Sequence, residues 1–296
     1  MPVPALTAFL NGQFAPLDTL QVSVMDRGFL FGDGVYEVIP VYNRQPFRLE
    51  EHLQRLENSL AAIALVNPYS RGRWAELIHA IVAAQDFEDQ SVYLQVTRGA
   101  AWPRNHALPA QVTPTVLIYA DELAAPLPAM VEQGVTAISA GDIRWLRCNI
   151  KATALLANVL LRQMAVDAGV AETVLFRDGL LIEGSSSNIF VVSQGEILAP
   201  PPSHLMLTGI TYDLILELAQ QHALPYRVCE ITEQQVRDAD EVWLTSSSKE
   251  VLALVQLDDQ LVGDGKPGPV FREMHRHYQQ FKRDVMRNKE FRHDPS

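Results

Sequence analysis

The hydrophobic period of this chain switches between two and about 3.6 residues without settling into strand–helix–strand alternation. That irregularity constrains the fold more than any single motif. Thr7–Leu10, Asn11-Gly12 and Gln13-Phe14 read as a short hairpin with a type I′ turn. The apolar run Gly34–Tyr42 breaks at Asn43-Arg44 and resumes at Pro46–Leu49, again as a hairpin. Leu53, Leu56, Leu60 and Ile63 then share one helical face across Glu50–Leu65. Trp74, Leu77, Ile78 and Ile81 do the same across Trp74–Ala84, and strands are predicted at Ser91–Thr97 and Thr115–Ala120. This order predicts an α+β domain rather than a doubly wound one. With 296 residues, and roughly 150 per domain, two domains are expected. Residues 122–130 carry two prolines and are the candidate linker, leaving lobes at 1–121 and 131–296. The second lobe reads as a strand at Val135–Ser139, a long helix at Lys151–Ala168, and strands at Thr173–Phe176 and Asn188–Val192. Helices near Ile210–His222 and Glu233–Ala239, a strand at Glu241–Leu244 and a charged helical region after Pro269 follow.

Charge and composition exclude several classes. Asp+Glu outnumber Lys+Arg by 35 to 24, for a formal net charge of -11, which argues against a general binder of nucleic acid or anionic membrane. No run of about 18 apolar residues is present to span a bilayer, and the N-terminal MPVPALTAFLNGQ lacks a signal-peptide pattern. Two cysteines, Cys148 and Cys229, cannot build a disulfide framework or a thiolate cage, so a cytoplasmic protein is expected. No HExxH motif occurs, so no metal is expected. Nineteen of the basic residues are arginine and five are lysine, and Lys151 is the sole lysine in the first 248 residues.

Five segments carry residues that could do chemistry. Lys151 opens the predicted helix, where the helix dipole and Arg147 would favour a neutral, nucleophilic amine; a solvated surface ammonium is the other reading. Glu183 begins Glu183-Gly184-Ser185-Ser186-Ser187-Asn188, which separates two strands. It could pair with a protonated ring nitrogen or be a solvated turn residue. Leu207-Thr208-Gly209-Ile210-Thr211 precedes an apolar helix, and Thr245-Ser246-Ser247-Ser248 follows a strand. Each offers amides and hydroxyls to an anion, though Ser and Thr cap most helices anyway. Arg104 and His106 lie two apart in a loop, so in an extended backbone they would point the same way and could clamp a carboxylate, or simply be solvated.

Taken in order, Asp26–Val38, Gln95–Gly99, Asp142–Lys151, Glu183–Asn188, Gly209–Thr211 and Thr245–Ser247 resemble the class IV (fold-type IV) pyridoxal-phosphate-dependent aminotransferases. The likeness runs from about Phe9 to about Gly268 and is greatest to the D-amino-acid members. It implies a small N-terminal α/β lobe and a larger C-terminal lobe built on a mixed, barrel-like sheet. It implies pyridoxal 5′-phosphate held by Lys151 as a Schiff base, with Lys151 also moving the proton. Glu183 is implied at the pyridine nitrogen, and Arg55, Ile210, Thr211, Ser246 and Ser247 at the phosphate. Tyr36, Arg104 and His106 are implied at the substrate α-carboxylate and Val38 at its side chain. The implied reaction is ping-pong transamination between a D-amino acid and an α-keto acid, of the D-alanine or D-glutamate with 2-oxoglutarate or pyruvate type. A homodimer is implied, with the Arg104/His106 loop serving the other subunit's site. The alternatives are an R-selective amine or L-branched-chain aminotransferase, an aminodeoxychorismate-type lyase on the same fold, or a vitamin-phosphate carrier without catalysis. Tyr212, where relatives often carry arginine, the bulky Trp102 and the charged tail from Phe271 to Ser296 depart from the pattern.

Overall fold

The computed structural model describes residues 6–287 and divides the chain into two compact units. The first comprises the described residues up to Ala124, then Ile150–Leu155, and residues 286–287. Its elements are β1 (Thr7–Leu10), β2 (Gln13–Pro16), α1 (Arg27–Phe31), β3 (Gly34–Tyr42), β4 (Gln45–Pro46), α2 (Leu49–Ala62), α3 (Arg71–Ala83), β5 (Gln90–Thr97) and β6 (Thr115–Glu122). The strands form one antiparallel sheet in the order β2-β1-β6-β5-β3-β4. Asn11 and Gly12 take positive φ, as the predicted hairpin turn requires. Alternation along β3 sends Val35, Glu37 and Ile39 to one face, all fully buried, and half-exposed Tyr36 and Val38 to the other. The buried face packs on Leu53, Leu56 and Leu60 of α2 and on Trp74, Leu77, Ile78 and Ile81 of α3. These are the two helical stripes read from the sequence. Glu50 and Glu51 in the first turn of α2 favour its dipole.

The second unit holds Ala125–Asn149 and Leu156–Val285. Its elements are α4 (Pro128–Gln133), β7 (Val135–Gly141), α5 (Leu156–Asp167), β8 (Glu172–Arg177), β9 (Leu180–Gly184), β10 (Asn188–Ser193), β11 (Glu196–Ala199), α6 (Ile210–Gln221), β12 (Tyr226–Val228), α7 (Glu233–Arg237), β13 (Glu241–Ser246), β14 (Glu250–Leu257), β15 (Gln260–Leu261) and α8 (Pro269–Phe281). A mixed sheet runs β12-β11-β10-β13-β14-β7-β8-β9, with β15 on β14, and curls as a half barrel. Parallel pairs β11–β12, β14–β7 and β7–β8 sit among antiparallel ones. One core gathers Val174, Ile189, Val191, Val242, Leu244 and Leu252. On the other side Trp243 and Phe190 meet Tyr212 of α6 and Phe271 of α8. Tyr212 is thus a core residue whose hydroxyl donates to Pro200 O at 2.8 Å.

Two expectations are corrected. The Lys151 segment was expected in the C-terminal lobe, but Ile150–Leu155 groups with the first unit. The helix was expected to open at Lys151, but it opens at Leu156. The cause is long-range pairing. Tyr36 N–H donates to Lys151 O at 2.9 Å, Thr153 N–H donates to Gly34 O at 3.0 Å, and Ala152 bridges Val35. A backbone already paired in this way has no groups left for a first helical turn. The helix-dipole argument for Lys151 falls with it, because that field fades within one turn. β9 follows β8 through the hairpin turn that Asp178-Gly179 signals, whereas β14 carries no separate signal in the sequence. Of the charged tail, residues 288–296 lie outside the described residues.

Candidate active site

Three side chains of α2, at i, i+3 and i+7, face the inner side of the first sheet. His52 Nδ1 lies 2.8 Å from Glu37 Oε2. Arg55 donates from Nε to Glu37 Oε1 and from Nη2 to Oε2, each at 2.8 Å, as a bidentate fork. The Ser59 hydroxyl oxygen accepts the Lys151 N–H at 3.3 Å. Burial alone would raise the Glu37 carboxyl, but Arg55 and His52 overturn this and hold it at about 2. Burial keeps His52 neutral, so its Nδ1–H donates to Glu37. The opposite face of β3 presents Tyr36, stacked 5.8 Å from Tyr93, and Lys151 Nζ lies 4.4 Å from the Tyr36 ring centroid.

The sign of the Glu37 shift gives an acid-stability prediction. A carboxyl depressed from 4.5 to about 2 stabilises the fold above pH 4.5, and the contribution is lost as pH falls through 4.5 towards 2. At about 1.4 kcal/mol per unit this is about 3 kcal/mol. Denaturant titrations between pH 5 and 2.5 should show that loss in the wild type and a flatter dependence in Glu37→Gln. Equal slopes in the two proteins would count against the Glu37–Arg55–His52 cluster.

The Arg104/His106 loop is gripped through its backbone. Arg27 donates to Asn105 O at 2.5 Å, to His106 O at 3.3 Å and to Ala107 O at 3.4 Å. Arg27 and Arg98 both donate to Asp33, and together they hold its carboxyl low against burial. The guanidinium of Arg104 sits 4.5 Å and the His106 ring 5.1 Å from the Phe31 ring, so the pair does point the same way. Trp102 is 83% exposed.

The second unit surrounds Glu183 with donors. Glu183 lies on β9 rather than in the turn after it. Its Oε1 is ion-paired with Arg144 Nη1 and accepts Leu207 N–H at 3.2 Å; Oε2 accepts Asn188 Nδ2 at 3.3 Å. Burial pushes the Glu183 carboxyl up to about 7, and Arg144 and the Leu207 amide pull against it. Asp142 fixes the other edge of Arg144 at 2.9 Å, and Arg177 donates to Arg144 O at 2.8 Å. Asn188 continues the chain of bonds to the start of α6: its Oδ1 accepts Gly209 N–H at 3.1 Å. A Cβ on Gly209 would lie 2.5 Å from that oxygen, so a larger residue would displace the Asn188 amide from this bond. Gly209 brings no capping side chain to α6, which begins with Ile210 and Thr211. Thr245 is the register partner of Asn188 and precedes Ser246. Its Oγ1 is buried without a hydrogen-bond partner among the described residues. Behind Glu183, the buried Glu172 accepts from Ser185 N–H at 3.0 Å and from the Ser187 hydroxyl at 2.7 Å.

Each unit therefore assembles its own share of the expected residues: Tyr36, Val38, Arg55, Arg104, His106 and Lys151 in the first, and Glu183, Ile210, Thr211, Ser246 and Ser247 in the second. Sequence reasoning missed Glu37, His52, Arg27, Arg144 and Glu172 as contributors. Their available signal was a charge set in an apolar run, as in Val35-Tyr36-Glu37-Val38-Ile39 and Ala171-Glu172-Thr173-Val174.

The family model described as amino-transferase class IV matches residues 34–257. The chain belongs to the class IV aminotransferases and is a pyridoxal-phosphate-dependent enzyme. It is 40% identical to a D-alanine aminotransferase of Bacillus licheniformis, over 90% of this chain and 93% of that one. It is 38% identical to a D-alanine aminotransferase of Staphylococcus aureus strain MW2, over 92% and 96%. Its fold matches a branched-chain amino acid aminotransferase of Thermoproteus uzoniensis with norvaline at a TM-score of 0.84, 23% identity, over 94% of this chain and 95% of that one. The branched-chain enzyme of Escherichia coli, at 24% identity, shares the fold with a TM-score of 0.88 over 97% of this chain and 98% of that one. Groups that suit the cofactor are present in each unit: the Lys151 amine in the first, and in the second the buried Glu183 carboxyl and the buried Thr245 hydroxyl, which has no hydrogen-bond partner among the described residues.

Proposed function

We propose that this enzyme transaminates D-amino acids, moving the amino group from substrates such as D-alanine or D-glutamate to pyruvate or 2-oxoglutarate in two half-reactions. One observation carries the substrate reading: Arg104 and His106 converge on Phe31 from a loop that Arg27 holds by three carbonyls. A held pair of cationic and imidazole donors suits a substrate α-carboxylate. An amine without a carboxylate would not need it. The curated D-alanine aminotransferases at 35–40% identity support the same reading.

When bound, pyridoxal phosphate supplies an aldehyde for the amine and a protonated ring that draws electrons from the substrate Cα. Lys151 would hold the cofactor, and its Nζ would take up and return the proton of the substrate Cα. The backbone bonds from Lys151 to Tyr36 and Ser59 fix where that amine starts. Glu183, ion-paired with Arg144, would pair with the ring nitrogen. Arg55, aligned by Glu37, takes the phosphate together with Ile210, Thr211, Ser246 and Ser247. Tyr36, Arg104 and His106 orient the α-carboxylate, and Val38 lines the side-chain pocket.

The enzyme acts as a homodimer in the cytoplasm, with the Arg104/His106 loop of one copy serving the other. Exposed Leu156, Val159, Leu160 and Met164 on one face of α5 support an interface. Among the described residues, no helix is long and apolar enough to cross a membrane.

The test is an assay with D- and L-alanine plus 2-oxoglutarate. D-alanine should be strongly preferred, and Arg104→Ala should lower kcat/KM for D-alanine about 100-fold, on the scale of a lost charge-assisted contact. Pyridoxal phosphate affinity should move less than threefold. Equal or L-preferring turnover would sink the proposal, and equal losses of substrate and cofactor would remove Arg104 from the carboxylate.

A further inference from the structure

Apart from Lys151, lysines are scarce, and two of the remaining four end on carboxylates flanking one turn. β13 closes at Ser246 and β14 opens at Glu250, and these residues are register partners. The Ser246 hydroxyl oxygen accepts the Lys249 N–H at 3.0 Å. Glu250 has φ of 55°, in the left-handed region that is uncommon for a residue with a side chain.

The C-terminal helix reaches this residue. The Glu250 side chain is buried. Its Oε1 is ion-paired with Lys282 Nζ, and its Oε2 accepts Gln279 Nε2 at 2.6 Å. Gln279 lies on α8, and Lys282, itself 8% exposed, begins the π-helical turn Lys282–Met286 that continues it. On the other flank Lys249 Nζ donates at 3.1 Å to Glu172, the carboxylate that organises Ser185 and Ser187. A buried ion pair adds little net stability, because desolvation offsets its attraction; its best-attested use is to specify geometry. An apolar pair would serve the fold as well but would not tether this backbone.

We propose that Glu250 and Lys282 are positioning residues that set the Ser246–Ser247 turn for the cofactor phosphate, giving the C-terminal helix control over cofactor affinity. This rests on the phosphate role of Ser246 and Ser247 in the function proposed above. Neither Glu250 nor Lys282 touches the cofactor; they act through the turn.

The test compares binding of pyridoxamine 5′-phosphate and of pyridoxamine, which lacks the phosphate, to the full-length apoprotein by calorimetry. Lys282→Met and Glu250→Gly should each weaken pyridoxamine 5′-phosphate at least tenfold. Both should change pyridoxamine less than twofold, and Lys282→Arg should restore binding to within threefold. Glycine suits the left-handed backbone, so Glu250→Gly removes the tether without adding backbone strain and keeps the test decisive if Lys282→Met fails to fold. Folded variants that bind pyridoxamine 5′-phosphate within twofold of wild type overturn the proposal. So do equal losses for both ligands, which mark a merely structural role. A wild type that binds pyridoxamine 5′-phosphate but shows no D-amino-acid turnover overturns only the substrate reading. A wild type that binds neither ligand overturns both.

Discussion

Replacing Lys151 by alanine should lower transamination by about 10⁴-fold, the upper range for removing a positioned proton-transfer group, compounded by loss of the amine that holds the cofactor. The side chain lies over Tyr36 with its backbone bonded on both sides, so alanine removes the amine without freeing the segment. Wild-type enzyme should show visible absorbance that borohydride discharges and fixes on the protein. Lys151→Ala should bind pyridoxal phosphate reversibly and resist that fixation. Turnover within tenfold of wild type in Lys151→Ala would remove the lysine from the reaction. The same variant tests the dimer. Mixed with the weakened Arg104→Ala under subunit exchange, it should recover about a quarter of wild-type activity. Half the dimers are then hybrids, and each hybrid holds one intact site. No recovery would mean that each copy uses its own Arg104.

The second large effect is at Glu183. Glu183→Gln keeps the size of the side chain but removes the charge that pairs with a protonated ring. Loss of one preorganised electrostatic partner costs about 10²–10³-fold in turnover. The variant also leaves the buried Arg144 with Asp142 as its remaining carboxylate. A pH signature separates this from simple damage. The free-protein Glu183 carboxyl, raised to about 7 by burial, is protonated below that pH and must lose its proton to pair with the ring. Pyridoxamine 5′-phosphate affinity should therefore weaken about tenfold for each pH unit below 7 in the wild type. In Glu183→Gln this dependence should be absent. A flat wild-type profile from pH 5 to 7 would place the pairing elsewhere.

Both predictions concern residues visible in the sequence, yet neither environment was. Lys151 was isolated by count and by its motif. Its local structure was misjudged because Ala152–Met164 has a helical apolar pattern that pairing with Gly34 and Tyr36 overrides at its start. Arg104 and His106 were legible as a pair because spacing by two has one geometric consequence in extended backbone. Arg27, which holds their loop, lies 78 residues from the carbonyl it bonds most closely. Arg144 and Glu183 lie 39 residues apart and meet through tertiary structure. Nothing in either local window announces the other.

The sequence by itself determined what local physics governs. The hairpin at Asn11-Gly12, the stripes of α2 and α3, the mixed α+β class and the short list of chemical residues follow from turn chemistry, side-chain period and composition. The tertiary structure decided where charges are buried and what they face. It placed Glu37 under Arg55 and His52, gave Glu183 three donors, and joined the Glu250 turn to the end of the last helix. The reason is that a buried charge takes its properties from desolvation and from partners supplied by distant segments. Those partners do not exist until the chain has folded.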